Sequence, residues 1–182
     1  MRVTNETKMN LKNGLVTMEM FGEAIYSYNK RAKNMRDKES EWRSFYRHNR
    51  YCHDDYDNVG KYKAKKEEYY TKKDDCLKFA QPTALHIVER ERTCREWNDY
   101  MDEWDYDTYT FYEYYLFYAI GEFSFHSPIT KEDYEKMKET LPTEELFDFE
   151  TYGKDIDELM SVQTADKILK GLKNGEYKLI AA

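Results

Sequence analysis

The sequence predicts a mainly α fold: a long antiparallel helical hairpin, then a smaller, mostly helical acidic-aromatic region with at most a short strand or two. Three observations point there. Seven glycines and three prolines interrupt 182 residues of which 36% are charged, a composition that favours helix over loop. Apolar residues from Phe21 to Tyr46 recur at steps of three and four, the period of one helix face. Turn-forming residues gather at a few places, chiefly His53–Asn58 and Gln81-Pro82-Thr83. The apolar fraction of 40% is low for a globular chain and includes eighteen tyrosines, whose rings bury area while their hydroxyls need hydrogen-bond partners.

The elements follow in order. From Thr17 onward, Phe21, Ile25, Tyr28, Ala32, Met35, Trp42 and Tyr46 form a heptad-like stripe with Glu39 in its one charged position, so a long helix with a partner along its length is expected. After the turn-like His53–Asn58, a second helical pattern from about Val59 to Phe79 supplies that partner, and the two make a hairpin over residues 1–81. Pro82 marks a boundary, since proline disfavours helix at the residue before it and suits the first turn of the next. Residues 82–182 are expected to pack with the hairpin as one unit.

Ala84, Ile87, Glu91, Cys94, Trp97, Met101 and Trp104 match a helix. For Asp105–Phe125 strand and helix both stay open: Tyr, Thr and Phe favour strand, but alternation fails, and helix is preferred. Thr130 with Asp133 three residues on reads as a cap opening a helix to about Leu141. Thr143 and Thr164 read as further caps. The last helix, through Ile168, Leu169 and Leu172, should stop at Asn174-Gly175, with Tyr177–Ile180 as a short strand.

Charge is unevenly spread. Residues 1–80 carry 18 basic and 13 acidic side chains and residues 81–182 carry 11 and 23, within a net charge of −7. Between Glu96 and Thr130 there are eight carboxylates, thirteen aromatic rings and no Lys or Arg. Carboxylates supply a field and rings supply buried area, the combination that docks on a basic partner. The candidate partner-binding residues are Glu96, Asp99, Asp102, Glu103, Asp105 and Asp107, with Trp97, Trp104, Tyr106 and Tyr109 as packing anchors. On a helix Glu96, Asp99 and Glu103 would share one face beside an apolar ridge of Trp97, Met101 and Trp104; the competing reading is a solvated helix face. Free nucleic acid is not an expected ligand of such a surface, because phosphate binding needs cations.

Other constellations are weaker. Asp55-x-Asp57-x-x-Gly60 begins like a calcium loop, but Val59 sits at a ligand position and Lys66 where the bidentate acid belongs. Cys52, Cys76 and Cys94 make no CxxC pair, which argues against zinc and against a disulfide framework. Ser124 and His126 lack an orienting acid and read as a loop closing on Pro128. Glu176-x-Lys178 matches half of a nuclease pattern, and two charged residues match often by chance. The Lys30–Arg50 run is a basic patch interrupted by Asp37, Glu39 and Glu41, so it reads as a salt-bridged face. An enzyme, a metal centre and a cofactor are not expected. The amino terminus lacks a signal-peptide core and the Tyr114–Ile120 apolar run is too short to span a bilayer, so a cytoplasmic protein without membrane contact is expected.

The Glu96–Glu122 block, with the chain's size and acidity, resembles phage-encoded anti-CRISPR proteins, specifically inhibitors of the type II RNA-guided nuclease. The resemblance is one of character rather than motif. It implies a non-enzymatic nucleic-acid mimic in the bacterial host cell that binds the nuclease or its guide RNA complex and blocks DNA binding or cleavage, its carboxylates standing where phosphates would. The alternative is a phage structural or assembly protein that oligomerises through the helical hairpin, whose seam can equally pair with a second copy to give a homodimer.

Overall fold

In the computed structural model the described residues are 5–48, 53–98, 100–101, 103–146 and 155–180. In chain order they form α1 (Asn5–Lys12), β1 (Leu15–Thr17), α2 (Met18–His48), α3 (His53–Leu77), β2 (Ala84–Asn98), β3 (Glu103–Ile120), β4 (Phe123–Ile129), α4 (Lys131–Met137), β5 (Thr143–Leu146), α5 (Val162–Lys173) and β6 (Lys178–Ile180). The expectation of a mainly α fold is overturned: the fold is α/β, with 53% of the described residues in helix and 31% in strand, in two sheets. The helix assigned to Ala84–Trp104 and the helix preferred for Asp105–Phe125 are strands. Two compact units divide the chain, the first holding residues 1–81, 120–123 and 152–182, the second residues 82–119 and 124–151.

In the first unit α2 and α3 lie antiparallel: Tyr46 meets Tyr56, Glu39 meets Lys66 and Tyr28 meets Tyr69. The turn expected at His53–Asn58 is instead the start of α3. Phe21, Ile25, Tyr28 and Ala32 are fully buried, so α3 and α5 already occupy the first half of the seam. Polar groups within it are satisfied: Ser27 donates to the Met160 carbonyl at 2.8 Å and Glu23 accepts from the Met160 amide at 3.2 Å. On α5, Ala165, Ile168, Leu169 and Leu172 are buried at i, i+3, i+4 and i+7, one helical face. Its cap is Ser161, which accepts from the Thr164 amide, so Thr164 is the third residue after the cap and not the cap itself. The helix stops at Asn174, and Gly175 takes a φ of +71°, where a side chain would be strained. β6 then pairs in parallel with β1, Val16 opposite Leu179.

Glu39 is 5% exposed, yet charged. Lys66 holds one carboxylate oxygen at 2.7 Å, and the Arg43 guanidinium holds the other through two nitrogens at 2.6 and 3.0 Å. Hydrogen bonds from Lys66 and then Arg43 outweigh burial and keep its carboxyl below the ordinary value of 4.5. A lowered folded pKa means stabilisation that is complete above the unfolded value and fades as pH falls through the folded one. Glu39→Gln is expected to lower stability by about 2 kcal/mol at neutral pH. In thermal melts at stepped pH, the gap between Glu39→Gln and the native chain should close only well below pH 4.5; a gap of constant size down to the acid limit would refute the ion pair.

The second unit is a four-stranded sheet in the order β4-β3-β2-β5. β2 and β3 are antiparallel over fifteen rungs, from Ala84 opposite Phe117 to Asn98 opposite Glu103. β5 is parallel to β2 and covers only Leu85–Val88; Thr143, expected as a helix cap, begins this strand. β4 has seven residues and follows β3 through Gly121, whose φ of +61° suits a tight hairpin turn. Ser124 and His126 therefore stand on a strand, not in a closing loop. Thr130 caps α4 as expected, accepting from the Asp133 amide at 3.1 Å and donating to its carboxylate at 2.9 Å.

Candidate functional site

Beyond Val88, no described residue pairs with β2 on its β5 side. From Glu89 to Asn98, opposite Glu103 to Tyr112, the described residues form a two-stranded ribbon about 30 Å long. A two-stranded ribbon buries little, and most of its side chains are exposed, Trp97, Trp104, Tyr106, Tyr109 and Tyr112 among them. Such a ribbon is marginal alone, so its cross-strand pairs carry the local stability.

The register sorts those pairs onto two faces. One face carries Glu89 with Tyr112, Thr93 with Thr108, Arg95 with Tyr106 and Trp97 with Trp104. Here the Trp97 and Trp104 rings meet edge to face at 5.2 Å, the Arg95 guanidinium lies 4.5 Å from the Trp104 ring, and the two threonine hydroxyls are 3.0 Å apart. An edge-to-face aromatic pair contributes about 0.5–1.5 kcal/mol beyond its area, which ties the far end of the ribbon together. The opposite face carries Arg90 with Phe111, Arg92 with Tyr109, Cys94 with Asp107 and Glu96 with Asp105. Arg90 reaches Glu113 at 3.3 Å, and Tyr115 donates to the same carboxylate at 2.7 Å.

The predicted site residues are thus divided. Glu96, Asp105, Asp107 and Tyr109 share one face, while Trp97, Trp104 and Tyr106 share the other, so the helical ridge of acids beside an apolar ridge is corrected to opposite sides of a ribbon. Glu103 opens β3 opposite Asn98. Asp99 and Asp102 lie outside the described residues, as does Cys52. Glu96 and Asp105 are directly opposed, about 4.5–5.5 Å apart at Cβ, with Asp107 on the diagonal; like charges so placed repel. Among the described residues Glu96 and Asp107 make no ion pair.

Arg90, Arg92 and Arg95 are the residues that the sequence reading missed. They precede the cation-free block in sequence but stand beside it in space, because β2 folds back in register on β3. Glu89-Arg90-Glu91-Arg92 alternates with a period of two, and that was the available signal. No family model, curated protein or solved structure matches this chain.

A second polar group lies at the other end of the sheet. His86, 5% exposed, stacks on Phe117 at 4.4 Å, and its Nδ1 is 2.8 Å from His126 Nε2. Burial lowers the His86 pKa against the opposing pull of Glu144, whose carboxylate is 3.6 Å from Nε2. One ring nitrogen must donate to the other, and neutral rings satisfy that. Among the described residues no group of three metal-ligating side chains converges, and no helix is long and apolar enough to cross a membrane.

Proposed function

We propose that this chain is a non-enzymatic binding protein whose ribbon enters a cationic groove of a nucleic-acid-handling protein, a type II RNA-guided nuclease or its guide RNA complex, and obstructs DNA binding or cleavage. The observation that carries this reading is the crowding of Glu96, Asp105 and Asp107 on one exposed strand face. Carboxylates gathered this closely set up a negative field on that face, which a cationic groove complements and a neutral one does not. The half-exposed Trp97 and Trp104 on the other face supply the area that anchors an interface. The three arginines of β2 restrict the acidic surface to the ribbon's far end rather than its whole length.

Cleavage of target DNA by a guide-loaded type II nuclease, titrated with the purified chain, tests this. The native chain should inhibit, and Glu96→Lys/Asp105→Lys/Asp107→Lys should weaken inhibition at least tenfold with an unchanged far-UV spectrum. Undiminished inhibition by the triple variant would remove the reading.

A further inference from the structure

The helical hairpin sorts its cations by side. Glu39 on Lys66 and Tyr46 on Tyr56 fix the alignment of α2 with α3. Residues just after a seam position stand on one side of the pair, and residues just before it on the other. Arg36, Arg43 and Lys63 are of the first kind, and each has an acid: Asp37 at 3.5 Å, Glu39 at 2.6 Å and Glu67 at 4.0 Å. This side is the salt-bridged face that the sequence predicts.

The other side differs. Lys38 precedes Glu39, Lys65 precedes Lys66, and Lys61 stands one turn before Lys65; all three are exposed, and none makes an ion pair among the described residues. Acids at helical reach do not answer them. Glu68, three residues after Lys65, is held by Lys72 at 2.8 Å, and Glu41, three after Lys38, makes no ion pair among the described residues. The ammonium groups of Lys38 and Lys61 instead stand 5.6 and 6.0 Å from one half-exposed ring, that of Tyr62. A ring positions a cation without neutralising it. Three lysines from two helices therefore present an uncompensated positive patch in a chain whose net charge is −7.

The spacing of that patch suits a regular row of anions. Lys61 and Lys65 are about 6 Å apart along α3, and one strand of a duplex carries a phosphate about every 3.4 Å of rise, so both can meet phosphates of a single strand while Lys38 meets a further one. An acidic polypeptide offers no such fixed repeat. Lysine is a point charge on a flexible stem, which matches a phosphate but does not distinguish base edges. We propose that this side of the hairpin binds the phosphate backbone of duplex nucleic acid, DNA or RNA alike, through Lys38, Lys61 and Lys65, without reading sequence. The patch belongs to α2 and α3 and not to the ribbon, so it stands whether or not the reading of the ribbon does.

Fluorescence anisotropy of short labelled DNA and RNA duplexes, titrated with the full chain at stepped salt, tests it without any nuclease. Both duplexes, in unrelated sequences, should bind with Kd in the range of about 10⁻⁴–10⁻⁶ M usual for backbone contacts. Three contacts predict a slope of about −2.7 in log K against log salt, a loss of about fortyfold between about 50 and 200 mM. Lys61→Ala should reduce that loss to about twelvefold, and Lys38→Ala/Lys61→Ala/Lys65→Ala should abolish binding with an unchanged far-UV spectrum. Lys63→Ala removes the same charge two residues away on the salt-bridged side and should leave the slope unchanged. A native chain that binds neither duplex, or a Lys63→Ala loss equal to that of Lys61→Ala, would overturn the proposal. So would polyglutamate binding the native chain more tightly than either duplex, which would assign the patch to an acidic protein.

Discussion

Alanine at Tyr28 is expected to cost about 3–5 kcal/mol, a large part of the 5–15 kcal/mol that holds a typical domain together. Tyr28 is fully buried near the middle of α2's covered seam, its ring 6.5 Å from that of Tyr69, and its hydroxyl donates to Asp166 on α5 at 2.7 Å. Lys72 from α3 grips the same Asp166 at 3.0 Å and sits 5.9 Å from the Tyr28 ring, so one side chain joins three helices. Burial, then the Asp166 hydrogen bond, pushes the phenol pKa far up, and the hydroxyl stays a donor throughout the accessible pH range. Tyr28→Phe separates the two contributions. It keeps the ring and leaves Asp166 its Lys72 partner, so its cost should be near 1 kcal/mol. Urea unfolding followed by far-UV circular dichroism measures both; a Tyr28→Ala loss below that of Tyr28→Phe would contradict the packing.

Gly22→Ala is expected to destabilise, although helix propensity alone predicts a gain of about 1 kcal/mol for that change within a helix. Gly22 lies in α2 where the turn between β3 and β4 crosses it. A β-carbon there would stand 2.8 Å from the Ile120 carbonyl oxygen and 2.7 Å from the Phe123 ring. A flexible ring alone could yield, but the backbone oxygen is fixed by its strand, and Phe123 is itself held against Tyr26 at 5.3 Å. Overpacking of this kind costs about 1–3 kcal/mol, and Gly22→Val should cost more. The sign is the decisive readout: a rise in melting temperature for Gly22→Ala would mean that this turn does not rest on α2.

The two halves of the chain were unequally legible, and the difference lies in where each strand or helix meets water. On α2 every residue from Met20 to Tyr28 is buried, and beyond it Ala32 and Glu39 stay buried among half-exposed and exposed neighbours, so the stripe with a period of three and four continues past the fully covered stretch and is legible in the residues. The caps at Thr130 and Gly175 were legible for the same local reason: a hydroxyl bonding an amide three residues on, and a backbone turn that only glycine takes without strain. β2 and β3 have no such contrast between faces. Near Ala84–Val88 both sides of β2 are covered, and from Glu91 to Trp97 most positions on both sides are exposed. The change of environment runs along the strand instead of across it, so alternation, the usual mark of a strand, is missing. Steps such as Ala84, Ile87, Glu91 and Cys94 then matched a helix by coincidence.

By itself the sequence determined the helical seam, the start of one helix at Thr130 and the stop of another at Asn174-Gly175, and the excess of carboxylates and rings between Glu96 and Thr130, because these depend on neighbours within a few residues. Tertiary pairing decided what that excess means. Cross-strand register, not sequence spacing, gathered Glu96, Asp105 and Asp107 on one face, set Trp97 on Trp104 across the other, and brought Arg90, Arg92 and Arg95 alongside a block that contains no cation of its own. A ladder joins residues by hydrogen bonds between distant segments, and shifting it by one residue exchanges every face, so no local pattern can specify which charges end up together.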